Sequence, residues 1–106
     1  MDESAFENLA DATLARLEAR IEDHLEVDVE RRGGVLTIEL DDGRQYVINK
    51  HTPNRQIWLS SPVSGAAHFD YDPASGSWRS TRGDARLHEL LASELKAATG
   101  EDIAFD

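Results

Sequence analysis

Hydrophobic and polar positions recur with two different periods along the chain, and the change of period separates helices from strands. Between residues 4 and 24, apolar positions recur at steps of three and four, which predicts one amphipathic helix. Its apolar stripe consists of Phe6, Leu9, Ala10, Thr13, Leu14, Leu17 and Ile21. Ser4 followed by Glu7 matches a capping box, so the sequence predicts that the helix begins at Ser4.

The middle of the chain alternates with a period of two, which is typical of half-buried β-strands. Five or six short strands are predicted, at residues 27–30, 35–40, 44–49, 55–60, 67–71 and 77–80. Asp42-Gly43 is a strong signal for a two-residue hairpin of type I′, and further turns are predicted at residues 33–34, 52–54, 62–65 and 73–76. Short strands joined by tight turns indicate an antiparallel meander.

A second helix is predicted over residues 85–99, with Asp84 as its N-cap and Gly100 just beyond its end. In the tail that follows, Ile103 and Phe105 are expected to pack against the helices. The second helix has an apolar stripe made of Leu87, Leu90, Leu91, Leu95 and Ala98. The order helix, strands, helix predicts an α+β two-layer sandwich, with the N- and C-terminal helices on one face of a five- to six-stranded antiparallel sheet.

This layout gives every strand side chain a direction. The side chains expected to point at the helices are Leu36, Ile38, Leu40, Tyr46, Ile48, Ile57 and Leu59. Those expected on the outer face, in water, are Thr37, Glu39, Val47, Asn49, Gln56 and Trp58. Trp58 beside Gln56 and Asn49 resembles an interface anchor with a polar rim. The alternatives are a single exposed apolar residue, which is common on protein surfaces, or a ring that lies against a neighbouring loop.

Length, charge and cysteine content narrow the classes of function. The 106 residues predict a single domain over residues 1–106, and the absence of cysteine excludes disulfides, thiolate metal sites and cysteine nucleophiles. The net charge of −10 opposes binding to nucleic acid or to an anionic membrane, and favours cations or a basic protein partner. Without a membrane-spanning run or a signal peptide in the sequence, we expect a cytoplasmic protein.

Familiar catalytic motifs are missing from the sequence. It has no P-loop, no GxGxxG and no HExxH, and its four histidines lie far apart. Ser60 and Ser61 with His68 are a conceivable hydrolase pair, but no nucleophile elbow surrounds them. A hydrolytic triad is therefore not supported.

Acidic residues are concentrated at the start of the chain. Residues 1–30 contain ten acids against Arg16 and Arg20, so they carry −8 of the net −10. At about 100° per residue, five of these acids share one sector of the first helix, and others continue the row into the first strand. We call this row the acidic ridge: Glu3, Glu7, Asp11, Glu18, Glu22, Asp23, Glu26, Asp28 and Glu30.

The acidic ridge has two interpretations. The first is a solvated helix face, which is the common outcome for such a charge run. The second is weak, open binding of hard cations by carboxylate oxygens, with His24 as a candidate nitrogen ligand. Like charges three and four residues apart destabilise a helix by a few tenths of a kcal/mol per pair, so their presence weakly favours a functional role for the ridge.

One segment resembles a known family. "YVINKHTPNRQIWLSSPVSG", together with "FENLADATLARLEARIEDH", "GGVLTIEL" and "LHELLASEL", is similar to the frataxin family over residues 4–105, and the ending "GEDIAFD" is similar to its bacterial members. The resemblance implies an α+β sandwich that binds ferrous and ferric iron weakly. It also implies a regulator, not an enzyme, that docks on a cysteine desulfurase and its scaffold during iron–sulfur cluster assembly.

The resemblance also assigns roles to residues. It places weak iron binding on Glu3, Glu7, Asp11, Glu18, Glu22, Asp23, Glu26 and Asp28. It places partner binding on Asn49, Gln56 and Trp58 of the sheet and on Glu18 and Glu22 of the ridge. A monomer is expected, with iron-driven oligomerisation left open. The alternatives are a ferroxidase that stores iron in oligomers and an acidic adaptor whose ridge binds only protein.

Overall fold

Two helices and six strands make up the two layers of the protein in a computed structural model that describes residues 1–105. The elements are α1 (Glu3–His24), β1 (Asp28–Arg32), β2 (Val35–Glu39), β3 (Gln45–His51), a 3-10 turn (Thr52–Asn54), β4 (Gln56–Ser61), β5 (Gly65–Asp72), β6 (Ser77–Ser80) and α2 (Leu87–Thr99). The strands pair in chain order, each antiparallel to the next. The predicted α+β sandwich and its antiparallel meander are confirmed, and no strand end differs from the predicted one by more than two residues.

The core lies between the sheet and the two helices. All seven strand residues predicted to face the helices are buried, and so are Phe105 and most of both helix stripes. Ile103 packs against the same core, as predicted for the tail. Ala98 is the exception, because it is exposed in the last turn of α2 beside a cleft that Arg44 also lines. The predicted stripe therefore ends at Leu95.

The first helix begins earlier than its predicted capping box. Asp2 is the N-cap, and its Oδ1 accepts a hydrogen bond from the backbone N of Ala5 at 2.7 Å. Aspartate is among the best N-cap residues, so Asp2 caps the helix in place of Ser4. The Glu7 carboxylate accepts a hydrogen bond from Lys50. The capping-box prediction is therefore wrong.

The second helix begins later than predicted, and Asp84 is not its N-cap. Arg86 first forms an isolated β-bridge with Arg79, and the Ala85 carbonyl accepts a hydrogen bond from the backbone N of Ser80 at 2.8 Å. The Asp84 carboxylate instead pairs with Arg79 at 2.6 Å. At the other end, Gly100 closes the helix in the left-handed conformation, with φ +78°, as the sequence predicts.

The hairpin between β2 and β3 forms where it is predicted, with a different turn. Only Gly43 has a positive φ, +89°, whereas a type I′ turn needs positive φ at both central residues. The backbone N of Gly43 donates to the carbonyl of Leu40 at 2.9 Å, and Leu40 N donates to Arg44 O at 2.8 Å. These bonds describe a type I turn followed by a left-handed glycine. Asp42 stays at negative φ, where its carboxylate accepts from the Arg44 backbone at 3.0 Å.

Neither α1 nor α2 combines the length and the apolar character that a membrane-spanning helix needs.

Candidate functional site

The first part of the acidic ridge is bridged to the sheet by basic side chains. Lys50 on β3 places its Nζ 3.2 Å from Glu7 Oε2 and 2.9 Å from Asp11 Oδ1. The hydrogen bond to Asp11 is the main reason that the pKa of Lys50 is raised. Glu3 lies 3.9 Å from the Arg55 guanidinium. An internal cation therefore occupies the Glu7–Asp11 section of the ridge.

A glycine makes room for this bridge. A Cβ built on Gly34 would lie 3.0 Å from the Cε atom of Lys50, tighter than an ordinary van der Waals contact, so the lysine stem would have to shift by a few tenths of an ångström. The Lys50 stem passes over Gly34, whose carbonyl also accepts a hydrogen bond from the Lys50 backbone at 2.8 Å. The β1–β2 hairpin thus guides Lys50 towards α1.

Two further ion pairs lie along the ridge, at Glu18 and at Glu30, and the described acids between these two residues have none. Arg31 on β1 donates from Nε to Glu18 Oε1 at 2.8 Å, and Glu30 pairs with Arg32 beside it. Within residues 1–105, the ridge acids without an ion pair are Glu22, Asp23, Glu26 and Asp28, and all four are exposed. They surround the end of α1, where the helix dipole adds partial negative charge. We call these four residues the unpaired ridge.

A cleft of about 630 Å³ extends the unpaired ridge across the end of the molecule. It lies where the end of α1, the β2–β3 hairpin and the end of α2 come together. Its polar lining consists of His24, Glu26, Asp41, Asp42, Arg44, Thr99 and Glu101. Sequence reasoning missed Asp41, Asp42 and Glu101, because only the fold brings the hairpin and the α2 end to this place.

The cleft offers both nitrogen and oxygen atoms as candidate ligands. His24 Nδ1 donates a hydrogen bond to the Arg20 carbonyl at 2.9 Å, because a carbonyl oxygen can only accept, so Nε2 is the ring nitrogen left to face a ligand. The hydrogen bond from the Arg44 backbone lowers the pKa of Asp42. In the described part of the chain, no three histidine or acidic side chains are grouped closely enough to hold a metal ion. The iron-binding roles of the ridge residues stay predictions.

The outer face of the sheet carries the second candidate surface. Trp58 points away from the helices, as predicted, but it is half-buried instead of fully exposed to water. His51 stacks on one face of its indole with ring centroids 3.6 Å apart, and His68 stacks on the other at 4.2 Å. Both imidazoles lie within 12° of parallel to the indole. The expectation of a tryptophan set among polar residues in water is corrected, because two imidazoles cover its faces.

Hydrogen bonds fix the same ring in its own plane. Trp58 Nε1 donates to Gln56 Oε1 at 2.8 Å, and Gln56 Nε2 donates to Asp70 Oδ1 at 3.0 Å. Asn49 lies directly opposite Trp58 on β3, so the structure brings together the three residues predicted for this surface. Their partner-binding role stays a prediction.

Sequence reasoning missed His51 and His68 as neighbours of Trp58. The signal for His68 is the strand register, because it lies directly opposite Trp58 on β5. That register depends on the length of the β4–β5 turn, which the sequence predicts only approximately.

The fold and its two surfaces define a class: a small, acidic α+β sandwich with carboxylates along one edge and an aromatic stack on the open sheet face. Residues 1–101 match the model of the frataxin-like domain. Frataxin from Arabidopsis thaliana mitochondria is 42% identical over 97% of this chain, which spans 58% of the plant protein. The iron–sulfur cluster assembly protein CyaY of Pseudomonas fluorescens is 39% identical, with 100% of this chain and 96% of that protein covered.

Solved structures agree with these relatives. Frataxin from Psychromonas ingrahamii superposes with a TM-score of 0.91 at 28% identity and covers 100% of this chain and 99% of its own. A trimeric frataxin from the yeast Saccharomyces cerevisiae, in complex with ferrous iron, gives 0.70 at 39% identity, with 94% of this chain and 88% of that chain covered. The chain belongs to the frataxin family, and the resemblance read from its sequence is confirmed.

Proposed function

We propose that this protein is an iron-binding regulator of iron–sulfur cluster assembly in the cytoplasm. Relatives that it matches over its whole length carry the name of that process. The observation that carries the proposal is the unpaired ridge, four exposed carboxylates beside an acidic cleft in a chain of net charge −10. Such a surface attracts cations and basic proteins alike.

The ridge acts through oxygen ligands. Carboxylates bind hard cations, and ligands that are exposed and separate bind them weakly and with little selectivity. Iron would therefore exchange readily at the unpaired ridge, where no internal cation competes with it. Lys50 already pairs with Glu7 and Asp11 and offsets part of their charge, so we expect that section to bind iron less well.

The same carboxylates would meet a basic surface of the cysteine desulfurase. Charge complementarity of this kind speeds association and fixes orientation. Iron and the desulfurase would then compete for the unpaired ridge, which makes docking sensitive to iron. The outer sheet face, with Asn49, Gln56 and Trp58, would contact the cluster scaffold through an aromatic anchor and a polar rim.

A double charge reversal tests the ridge contact. Glu22→Lys/Glu26→Lys is expected to weaken binding to the cognate desulfurase by at least about tenfold at low salt, because it reverses the field of the unpaired ridge. Binding of the native protein is expected to weaken as salt rises from 50 to about 300 mM. Isothermal titration calorimetry at both salt concentrations measures both effects.

The matched control is Asp84→Lys/Glu89→Lys, which makes the same change in net charge near the start of α2. Both residues are exposed and lie by the start of α2, whereas the cleft beside the unpaired ridge is lined by the end of α2. The control is expected to bind nearly as tightly as the native protein. Equal losses of affinity in the two variants would show that only the net charge of the protein matters, and not the position of the ridge. Binding that does not depend on salt would contradict a charged interface.

A second candidate function is iron-driven assembly into a storage or ferroxidase oligomer. The trimeric yeast relative in complex with ferrous iron favours it. Sedimentation of the protein with and without ferrous iron, combined with oxygen consumption at low protein concentration, separates the two functions. A monomer that consumes no oxygen supports the regulator.

A further inference from the structure

Three aromatic rings from three neighbouring strands stand side by side on the outer face of the sheet. Trp58 lies on the central strand of the three, β4, with His51 on β3 and His68 on β5. Adjacent strands lie about 4.8 Å apart, so rings that stand upright on them meet face to face. The observed centroid distances of 3.6 and 4.2 Å and the near-parallel planes describe a continuous stack.

The stack removes the freedom of the indole in two ways. An imidazole on each face blocks rotation of the ring out of its plane. The hydrogen bond from Nε1 to Gln56, which is itself held by Asp70, blocks a flip of the ring within that plane. Trp58 is therefore ordered before any partner arrives.

The two histidines contribute through their ring faces. In residues 1–105, the Nδ1 atom of His51 is buried without a hydrogen-bond partner, so this nitrogen stabilises no polar contact. His68 is exposed, and it reaches the indole because it lies directly opposite Trp58 on the neighbouring strand. Neither residue has a role in the core.

We propose that His51 and His68 are positioning residues that hold Trp58 upright as a fixed plate for the cluster scaffold. This inference rests on the proposed docking of the scaffold at the outer face. Ordering a large side chain in advance improves affinity by about two- to tenfold, because binding no longer has to immobilise it. Either histidine can therefore affect docking without touching the partner.

The test compares ring removal with ring replacement. His51→Ala and His68→Ala remove one stacked ring each, whereas His51→Phe and His68→Phe restore an aromatic face without the imidazole nitrogens. The first readout is the indole N–H resonance of Trp58 in the free protein, assigned with Trp58→Phe. The buried indole of Trp78, which does not touch the stack, serves as the internal reference. The second readout is affinity for the purified cluster scaffold with its cysteine desulfurase.

Each alanine variant is expected to shift and broaden the Trp58 resonance, to leave the Trp78 resonance in place, and to weaken scaffold binding by about two- to tenfold. Each phenylalanine variant is expected to restore both properties. An unchanged Trp58 resonance in the alanine variants would overturn the positioning role. The positioning role would also be overturned if the two histidine-to-alanine variants bound the scaffold with native affinity while Trp58→Ala abolished binding. If the native protein does not bind the scaffold, the proposed docking fails, and the spectra of the free protein still decide whether the histidines hold the ring.

Discussion

Replacing Trp78 with alanine is expected to lower the free energy of unfolding by about 4 kcal/mol, because the change opens a cavity in the core. Trp78 is 3% exposed. Its ring meets Phe6 of α1 edge-on at 6.0 Å and Tyr71 of β5 at 5.3 Å. Its Nε1 donates to Thr13 Oγ1 at 3.0 Å across the layers. One side chain on the short strand β6 therefore joins the sheet to α1, and its loss removes packing and a buried hydrogen bond together.

Urea unfolding followed by far-ultraviolet circular dichroism measures this loss. The matched control is Trp58→Ala, which removes the other tryptophan from the outer face and is expected to cost at most about 2 kcal/mol. A milder change, Trp78→Phe, keeps most of the ring and loses the bond to Thr13, so we expect an intermediate value of about 2 kcal/mol. Equal losses from the two alanine variants would contradict the assignment of Trp78 to the core and Trp58 to the surface.

Replacing Glu94 with alanine is expected to cost about 3 kcal/mol, although Glu94 is an acidic residue at the surface edge of α2. Its Oε1 accepts hydrogen bonds from the Tyr46 hydroxyl at 3.0 Å and from Ser61 Oγ at 2.6 Å. Its Oε2 accepts from Ser64 Oγ at 2.6 Å. The Tyr46 side chain is fully buried and Ser61 is 7% exposed, so removing the carboxylate leaves buried donors unpaired.

The pH of this measurement matters. Burial, followed by the hydrogen bond to Glu94, raises the pKa of Tyr46 to about 12. The phenol pKa is about 10 in the unfolded chain, so the folded state holds this proton more tightly. That contribution to stability is complete below pH 10 and is lost as the pH rises through 12. Unfolding at pH 8 therefore measures the Glu94 bonds in full.

Two variants test the origin of the Glu94 effect by urea unfolding. Glu94→Gln keeps one acceptor oxygen and is expected to recover about half of the loss. Glu89→Ala removes an exposed acid from the same helix and is expected to change stability by less than about 0.5 kcal/mol. A Glu94→Ala variant as stable as Glu89→Ala would show that the network contributes nothing to the fold.

The sequence by itself determined the two periods of the chain, and with them most of the fold. Helix stripes and strand alternation are local patterns, since they depend only on the geometry of 3.6 and 2 residues per repeat. Because a strand has only two faces, alternation also predicted correctly that Ile57 points inward and Trp58 outward. The helical part of the acidic ridge followed for the same reason, as a row of residues along one side of α1.

Tertiary structure alone decided which groups from distant parts of the chain meet. Local pattern could not identify Trp78 as a core residue, because its strand, "SWRS", is too short to show alternation. Nor could it show that Lys50 pairs with both Glu7 and Asp11, or that two histidines enclose Trp58. Those contacts depend on strand register and on the seating of α1 over the sheet. Register and seating are set by the packing of the whole core, which no single segment of the sequence contains.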